Sequence, residues 1–314
     1  MLNRRHIRIK VMQILYAFKG SESDDIKKDE KFLLQSIESM YDLHLVILSL
    51  LIEVHKRAEE HLQKTKNKHL ATKEEKNPNA KFIHNEVLKL MISNEALNQE
   101  IENRKLNYWY LDFEYVDIIF KSIIESELYK DYMATKTSTF NEDKLFVIDL
   151  FSEIIAPNEK LYEYFEDKKL TWIDDLPIVN TGILKLLKKI KPHIASNYFT
   201  PRLYKDLEDK EFALELFKKT FLNRSKFNEE VATRTTNWDS ERIANLDAVL
   251  LNMAICEFQK FPSIPVKVTI NEYLEIAKEY STPKSSFFIN GILDNIVKAY
   301  EADGKLNKIG RGLM

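Results

Sequence analysis

Apolar residues recur at helical spacing along almost the whole chain, and this feature most limits what it can fold into. In the first segment, apolar residues at 7, 11, 14, 15 and 18 form one buried helix face. Only six Gly and eight Pro occur in 314 residues, which argues against Gly-rich α/β nucleotide folds and turn-dense all-β folds. The β-branched stretch 265–268 is too short and isolated to build a sheet. The sequence therefore predicts an all-α protein.

The same periodicity predicts where the helices lie. After a first helix within 1–19, they cover about 29–69, 83–103, 112–132, 143–155, 178–190, 209–233, 241–259, 270–280 and 284–300. Residues 61–81 are Lys-rich and polar and contain Asn77-Pro78, which indicates a linker or an exposed hairpin tip. The last stretch, 301–314, holds three of the six Gly and is predicted to be a flexible tail.

An internal similarity appears at an offset of 66 residues. Residues 143–184, laid on 209–250 without a gap, give nine identities in 42 positions, with Trp172 on Trp238. Two interpretations remain open at this point. A helical unit was duplicated, or two amphipathic helices with the same period coincide at their apolar positions.

The sequence lacks the common catalytic and metal-binding motifs. It contains no P-loop, no GxGxxG and no GxSxG, and its seven His include no HExxH and no i, i+4 pair. The one cysteine, Cys256, excludes an internal disulfide and a multi-thiolate metal site, and its apolar neighbours indicate a buried thiol. We therefore expect a protein that is not an enzyme and that uses no cofactor or metal.

Composition predicts a soluble, cytoplasmic protein. The chain is 44% hydrophobic and 31% charged, and its 47 Lys and Arg nearly balance 49 Asp and Glu. No run of about 18 apolar residues occurs, and no hydrophobic segment follows the basic N-terminus. Neither export nor a membrane association is expected.

The first twenty residues are strongly basic and contain no acidic residue. The five cations are Arg4, Arg5, Arg8, Lys10 and Lys19. On a helix, Arg5 and Arg8 would share a flank with Tyr16 and Lys19, next to the buried face. Guanidinium groups there could contact phosphates, and the ring could stack on a base. A solvated basic helix end explains the charge equally well.

The stretch 265–296 carries further helix signals. Thr269 and Glu272 have the spacing of a capping box. Thr282-Pro283 has the pattern of an N-cap followed by the first helical residue. The helix that follows begins with Lys284, Ser285 and Ser286, donors at a positive helix end where phosphate is favoured. Ordinary helix packing is the alternative, and it must explain at least Phe288, Ile292 and Ile296.

Three parts of the chain resemble the NusB family of transcription antitermination factors. The strings VTINEYLEIAKEYS and SSFFINGILDNI resemble its C-terminal signature. The segment 4–8, followed by Gln13-Ile14-Leu15-Tyr16, resembles its Arg-rich opening helix. Trp238, Leu246-Asp247, Leu250 and 256–258 resemble a third conserved helix. Together these matches cover about 1–19 and 205–300.

The resemblance implies two packed helical bundles and binding to single-stranded, boxA-type RNA of ribosomal RNA leaders. It also implies a partner, the small-subunit ribosomal protein NusE, and action on RNA polymerase within an antitermination complex.

The resemblance also implies roles for individual residues. The RNA-binding residues would be Arg4, Arg5, Arg8, Tyr16, Lys19, Lys284, Ser285, Ser286, Phe288 and Asn290. Among them the arginines would contact phosphates and Phe288 would contact a base, while Tyr16 is as well suited to packing as to stacking. Lys284 replaces a frequently acidic family residue, which would strengthen RNA binding. Asp247 matches an acidic position that would meet NusE, with a structural cap or ion pair as an equal alternative.

The chain departs from the family in length, since typical members are less than half its size. Residues 20–204 are therefore predicted to be an expansion of additional helices, inserted between the first helix (1–19) and the remaining NusB-like core (205–300). One alternative function is a protein-interaction scaffold that keeps the fold. A second alternative is an enzymatic function, because the fold also occurs fused to ribosomal RNA methyltransferases. Against it, this chain has neither a glycine-rich cofactor loop nor a catalytic cysteine motif.

Overall fold

A computed structural model describes residues 2–18, 26–67, 72, 76–234, 245–306 and 308–309. Every regular element in these ranges is helical and none is a strand, so the prediction of an all-α protein is confirmed. None of the helices in the described part of the chain combines the length and apolarity needed to span a membrane.

The helices of the described ranges run from Arg4 to Ala302. They are α1 (Arg4–Ala17), α2 (Ile26–Lys66), α3 (Glu86–Ile92), α4 (Glu95–Asn103), α5 (Tyr108–Leu111), α6 (Phe113–Glu125), α7 (Glu127–Met133), α8 (Phe140–Leu150), α9 (Glu159–Lys168), α10 (Thr171–Lys189), α11 (Leu207–Leu222), α12 (Arg224–Arg234), α13 (Asn245–Lys260), α14 (Val266–Tyr280) and α15 (Ser285–Ala302). A 3₁₀ turn (Phe82–His84) precedes α3, and α8 continues as a π-helical turn (Phe151–Ile155).

The chain divides into two compact units. The terminal unit comprises residues 1–37 and 204–314, and the central unit comprises 38–203. The sequence places the first border near residue 20, but the observed division falls at 37/38, inside α2. The second border falls at 203/204, next to the predicted end of the expansion.

Helix α13 is the centre of the terminal unit. Every residue from Val249 to Phe258 is buried, and α13 packs against α1, α11, α12, α14 and α15. A helix that is apolar on most sides has no face for solvent and is stable only when other helices surround it. Cys256 lies within this run and is fully buried.

Two predicted helix starts are wrong. The predicted capping box fails because α14 begins at Val266, after Pro265, so that Thr269 lies inside the helix. The Thr269 hydroxyl instead donates to Glu257 Oε2 at 3.1 Å. The last helix begins at Ser285, and the residues at 282 and 283 lie in the preceding turn.

The central unit is built around the part of α2 that follows residue 38, which is buried at most positions from 43 to 54. Two indole N–H groups donate to backbone carbonyls of this helix. Trp109 bonds to Val46 at 3.0 Å and Trp172 bonds to Ser39 at 2.7 Å. These bonds satisfy the polar end of each buried ring.

The internal similarity falls on helices with the same buried pattern. Residues 146, 150 and 151 of the central unit are buried, as are 212, 216 and 217 of the terminal unit. The pattern includes an acid in the first turn of each helix, Asp143 in α8 and Asp209 in α11, and both are buried. Apolar periodicity alone does not require a buried acid, so this match favours duplication. Trp238 lies outside the described residues.

Parts of the predicted tail and of the predicted linker belong to helices. Helix α15 runs to Ala302, and the Lys308 ammonium donates to the carbonyls of Glu257 and Phe261 at 2.8 and 2.9 Å. Residues 307 and 310–314 lie outside the described ranges. Of the predicted linker 61–81, the first part belongs to α2, and residues 68–71 and 73–75 are not described.

Candidate nucleic-acid interface

A concave groove of about 570 Å³ lies in the terminal unit, beside the starts of α1 and α14. Its lining includes Arg4, Arg5, Arg8, Val268 and Glu272. Helix α1 begins here because the Asn3 side chain accepts a hydrogen bond from the His6 amide at 2.9 Å, which caps the first turn. The cap places consecutive arginines on the first turn of a regular helix.

Arg5 is held against Glu272 by two hydrogen bonds of 2.8 and 3.1 Å. The bonds from Arg5 hold the pKa of the Glu272 carboxyl below its ordinary value. They use Nε and Nη2 and leave the N–H groups of Nη1 without a partner in this pair, and 39% of the side chain is exposed. A guanidinium fixed in this way can still donate to a phosphate oxygen.

Arg4 has a similar arrangement on the other flank of α1. Its Nε donates to Asp209 at 3.1 Å, its guanidinium lies 5.2 Å from the centre of the Phe212 ring, and 39% of the side chain is exposed. Both surface arginines are therefore oriented by carboxylates from distant segments of the terminal unit.

Arg8 is a correction to the predicted site. Its side chain is only 2% exposed, and it donates to both oxygens of the fully buried Glu257 at 2.7 and 2.9 Å. Thr269 and Tyr273 hydroxyls donate to the same carboxylate. Burial alone would lower the pKa of Arg8, but the Glu257 carboxylate raises it above its ordinary value. Arg8 thus neutralises a buried charge in the core and does not present its guanidinium at the surface.

The other residues singled out in the first segment are Lys10, Tyr16 and Lys19. Lys10 is buried, and its ammonium donates to Ser36 at 3.2 Å. Tyr16 is 49% exposed, which suits it better to stacking than to core packing. Lys19 lies outside the described residues.

The predicted serines on α15 are buried. Ser285 is 2% exposed and Ser286 is 8% exposed. The Ser285 hydroxyl donates to Asp247 Oδ2 at 2.7 Å, and the Ser281 hydroxyl donates to Asp247 Oδ1 at 2.6 Å. Asp247 is itself only 4% exposed. The arrangement favours the structural interpretation of Asp247 and corrects the expectation that the serines face RNA.

Replacing Asp247 with Ala should lower the free energy of unfolding by about 2 kcal/mol or more, because two hydroxyls would lose a charged acceptor. Urea denaturation followed by helical circular dichroism measures the loss. Asp294→Ala is the matched control, since it removes an exposed acid from α15. Unchanged stability of Asp247→Ala together with lost NusE binding would instead show a partner contact.

Only a small part of the predicted RNA-binding segment 284–290 is exposed. Lys284 is exposed, Phe288 is half-buried and Asn290 donates to Asp294 at 3.2 Å. The residue that sequence reasoning missed is Phe287, which is 81% exposed. The signal was available, because Ile289, Ile292 and Ile296 fix the inner face of α15 and place Phe287 opposite it.

The predicted residues form two patches. The arginines surround the groove, whereas no residue of 284–290 contributes to the groove's described lining. Helix α15 packs against α14, which carries Glu272 and Val268. Among the described residues, no group of three or more His, Cys, Asp or Glu is placed to hold a metal ion.

Comparisons with known proteins identify the family. The NusB family profile matches residues 183–298. The chain is 42% identical over 112 residues to a protein of Salinibacter ruber called Transcription antitermination protein NusB, covering 36% of this chain and 70% of that protein. The chain belongs to the NusB family. The resemblance predicted from the sequence is thereby confirmed.

Two more NusB proteins give similar matches. The chain is 39% identical over 109 residues to that of Chloroherpeton thalassium, covering 35% of this chain and 52% of the relative. It is 35% identical over 120 residues to the NusB protein of Koribacter versatilis, covering 38% of this chain and 81% of that relative. No solved structure matches the chain. The NusB profile includes Asp247 and all of 284–290 but begins after α1.

Proposed function

We propose that this NusB-family chain is an RNA-binding transcription antitermination factor that acts with NusE on boxA-type RNA of ribosomal RNA transcripts. The names of its relatives, Transcription antitermination protein NusB, support the antitermination role. The observation that carries RNA binding is the pair of half-exposed arginines, Arg4 and Arg5, on one groove of the terminal unit.

The chemistry of the groove suits phosphate rather than a base edge. Each guanidinium is oriented by a carboxylate, so little side-chain entropy is lost when a phosphate binds. The same carboxylates, Asp209 and Glu272, reduce the local positive charge. The groove should therefore position RNA with moderate affinity, and a partner protein should add to it.

In the proposed function, the chain acts by joining a complex with RNA and protein partners and not by catalysing a reaction. The sequence offers no glycine-rich cofactor loop and no nucleophile motif, and its one thiol is buried with its pKa raised by burial to about 12. A thiol in this state is a poor nucleophile. The proposed complex would include RNA polymerase, as the antitermination role requires.

A second candidate function is a protein-interaction scaffold. It is favoured by an exposed apolar cluster in the central unit, where Tyr110 is 83%, Leu111 is 75% and Phe113 is 63% exposed. Neighbouring exposed apolar residues of this size are typical of protein contact surfaces. A scaffold of this kind would show no RNA affinity beyond that expected from charge alone.

Replacing Arg4 and Arg5 with Ala should weaken RNA binding and reduce its salt dependence. Each lost phosphate contact lowers the slope of log affinity against log salt by about 0.7 on single strands, so the double variant should lose about 1.4. Fluorescence anisotropy with boxA RNA and a scrambled RNA, each with and without NusE, measures both quantities across a salt series.

The matched control is Lys130→Ala with Lys160→Ala, which removes two exposed cations from the central unit. It should leave affinity and slope close to those of the unmodified protein. A preference for boxA that sharpens with NusE supports the proposed function. Equal, weak binding to both RNAs by the unmodified protein would refute it and favour the scaffold.

A further inference from the structure

A pocket of about 280 Å³ lies in the terminal unit, where the end of α1 meets α11, α12 and the start of α13. It shares no described lining residue with the groove that holds Arg4 and Arg5. Most of its walls are apolar, and they include Leu15, Phe18, Phe221 and Val249. A cavity of about 150 Å³ accepts one benzene ring, so this pocket has room for a body of two fused rings.

A buried oxygen in the lining of this pocket has no hydrogen-bond partner. Asn252 of α13 is 7% exposed, and its Nδ2 donates to Asn228 Oδ1 of α12 at 2.8 Å, which fixes the amide. The Asn252 Oδ1 atom is buried and accepts no hydrogen bond within the described ranges. A buried acceptor without a donor lowers stability, and nearly all such groups in folded proteins are satisfied. The pocket therefore suits a ligand that brings an N–H group to this oxygen.

The rim of the pocket is positively charged. Arg224 is the first residue of α12, and its guanidinium carbon lies 4.1 Å from the centre of the Phe221 ring. Its Nη1 donates to the Phe221 carbonyl at 3.5 Å, and no carboxylate in the described part of the chain pairs with it. The first turn of α12 contains no acid, and the helix N-terminus adds partial positive charge. A guanidinium beside free helix amides is an arrangement that binds phosphate.

We propose that this pocket binds a purine nucleotide. The base lies between the apolar walls and donates an N–H to Asn252 Oδ1, and the phosphate contacts Arg224 and the first turn of α12. Adenine and guanine each combine two fused rings with an exocyclic amino donor, which matches the volume and the free acceptor. The inference adds a second ligand to the RNA-binding function, at a place apart from the arginine groove.

The test titrates the full chain with GMP and with AMP in the absence of RNA, using isothermal titration calorimetry. At least one of them should bind with a stoichiometry of one. UMP should bind at least about tenfold more weakly, because its single ring buries less apolar surface. The matching purine nucleoside should also bind about tenfold more weakly, since it lacks the charged hydrogen-bond acceptor for Arg224.

Three variants assign the contacts. Asn252→Leu nearly keeps the side-chain volume but removes the acceptor, so it should weaken nucleotide binding about tenfold. Arg224→Gln should weaken it by a similar factor and reduce its salt dependence. Lys278→Gln removes another exposed cation of the terminal unit and is the matched control, which should bind as the unmodified chain does.

A fourth variant fills the pocket without removing a polar contact. Ala248→Leu adds a larger side chain at a partly exposed lining position of α13 and should abolish binding. Its helical circular dichroism and urea midpoint should stay close to those of the unmodified chain, because alanine and leucine are both good helix formers.

Competition with boxA RNA distinguishes the two sources of a purine nucleotide. Bound GMP or AMP that remains in place at saturating RNA identifies a free nucleotide as the ligand. Displacement that is lost in the Ala248→Leu variant identifies a nucleotide of the RNA itself. Either result supports the pocket as a purine site.

Three results would overturn the inference: no binding of GMP or AMP, affinity unchanged by both Asn252→Leu and Ala248→Leu, or tighter binding of UMP than of both purines. Preferential binding of indole-3-acetate, a two-ring N–H donor with a carboxylate, would also overturn it. The titrations contain no RNA, so their failure leaves the RNA-binding function standing. A failure of boxA binding likewise leaves the nucleotide titrations unaffected.

Discussion

Replacing Arg8 with Ala should cost about 3–5 kcal/mol of unfolding free energy, the effect expected when one partner of a buried ion pair is removed. Glu257 is fully buried and would lose the two hydrogen bonds that the buried Arg8 donates to it. The hydroxyls of Thr269 and Tyr273 would remain as donors, but they carry no positive charge. A loss of this size is a large share of the stability of an ordinary domain.

Cys256 provides a specific measurement of this loss, because it is the only cysteine and is buried in α13 next to Glu257. Its thiol should react with an alkylating reagent only when this part of the terminal unit opens. Brief alkylation pulses across a urea series therefore give an unfolding midpoint for this region. The Arg8→Ala midpoint should fall by at least about 1 M, given ordinary urea dependence.

Two variants serve as controls for this prediction. Arg5→Met removes a half-exposed arginine from the preceding turn of α1 and should shift the midpoint far less, since solvent screens its ion pair with Glu272. Arg8→Met combined with Glu257→Gln removes both charges and should recover much of the loss. If Arg8→Ala unfolds at the original midpoint but loses RNA affinity, Arg8 is a surface contact and its structural role is refuted.

The fold class was predictable because helical periodicity is a local property. The apolar positions of α1 all lie on one face, and the structure buries Ile7, Val11 and Ile14 as that spacing predicts. Helix starts were less predictable, because capping competes with tertiary contacts. Thr269 lies in a sequence pattern typical of an N-cap, yet its hydroxyl donates a hydrogen bond to Glu257 of another helix.

The candidate site was predictable as a basic segment but not residue by residue. Arg8 and Glu257 are 249 positions apart, and Arg5 and Glu272 are 267 apart. No local pattern shows that such pairs meet, so the sequence assigned one role to three arginines, of which Arg4 and Arg5 are half-exposed and Arg8 is buried. The exposure of Phe287 is different, since the spacing of the buried isoleucines on α15 already predicts it.

The first border between the units, at 37/38, was also invisible in the sequence. It falls within α2, where neither a Gly, a Pro nor a change of composition marks residues 37 and 38. A continuous helix can contribute to two cores because its periodicity continues unchanged through both. A boundary of this kind follows from which residues pack together, and only the structure reveals it.

Acid should destabilise the central unit through one buried histidine. His44 is 2% exposed, and its Nε2 lies 3.0 Å from the carbonyl oxygen of Phe199, to which it donates. Burial lowers the pKa of His44 to about 4, against about 6.5 in an unfolded chain. Between these values the unfolded chain binds more protons, so stability falls as the pH is lowered from 6.5 towards 4. The total loss is about 3 kcal/mol, at 1.36 kcal/mol for each pH unit.

Trp238→Phe makes tryptophan fluorescence specific for this unit, because the two remaining indoles, Trp109 and Trp172, both lie in it. Urea midpoints in this background should fall steadily from pH 6.5 to pH 4. His44→Gln keeps an N–H donor for Phe199 without a titrating ring and should flatten the decline, while the exposed His193→Gln should leave it unchanged. Parallel pH curves for His44→Gln and its parent would show that carboxylates, and not this imidazole, control the response to acid.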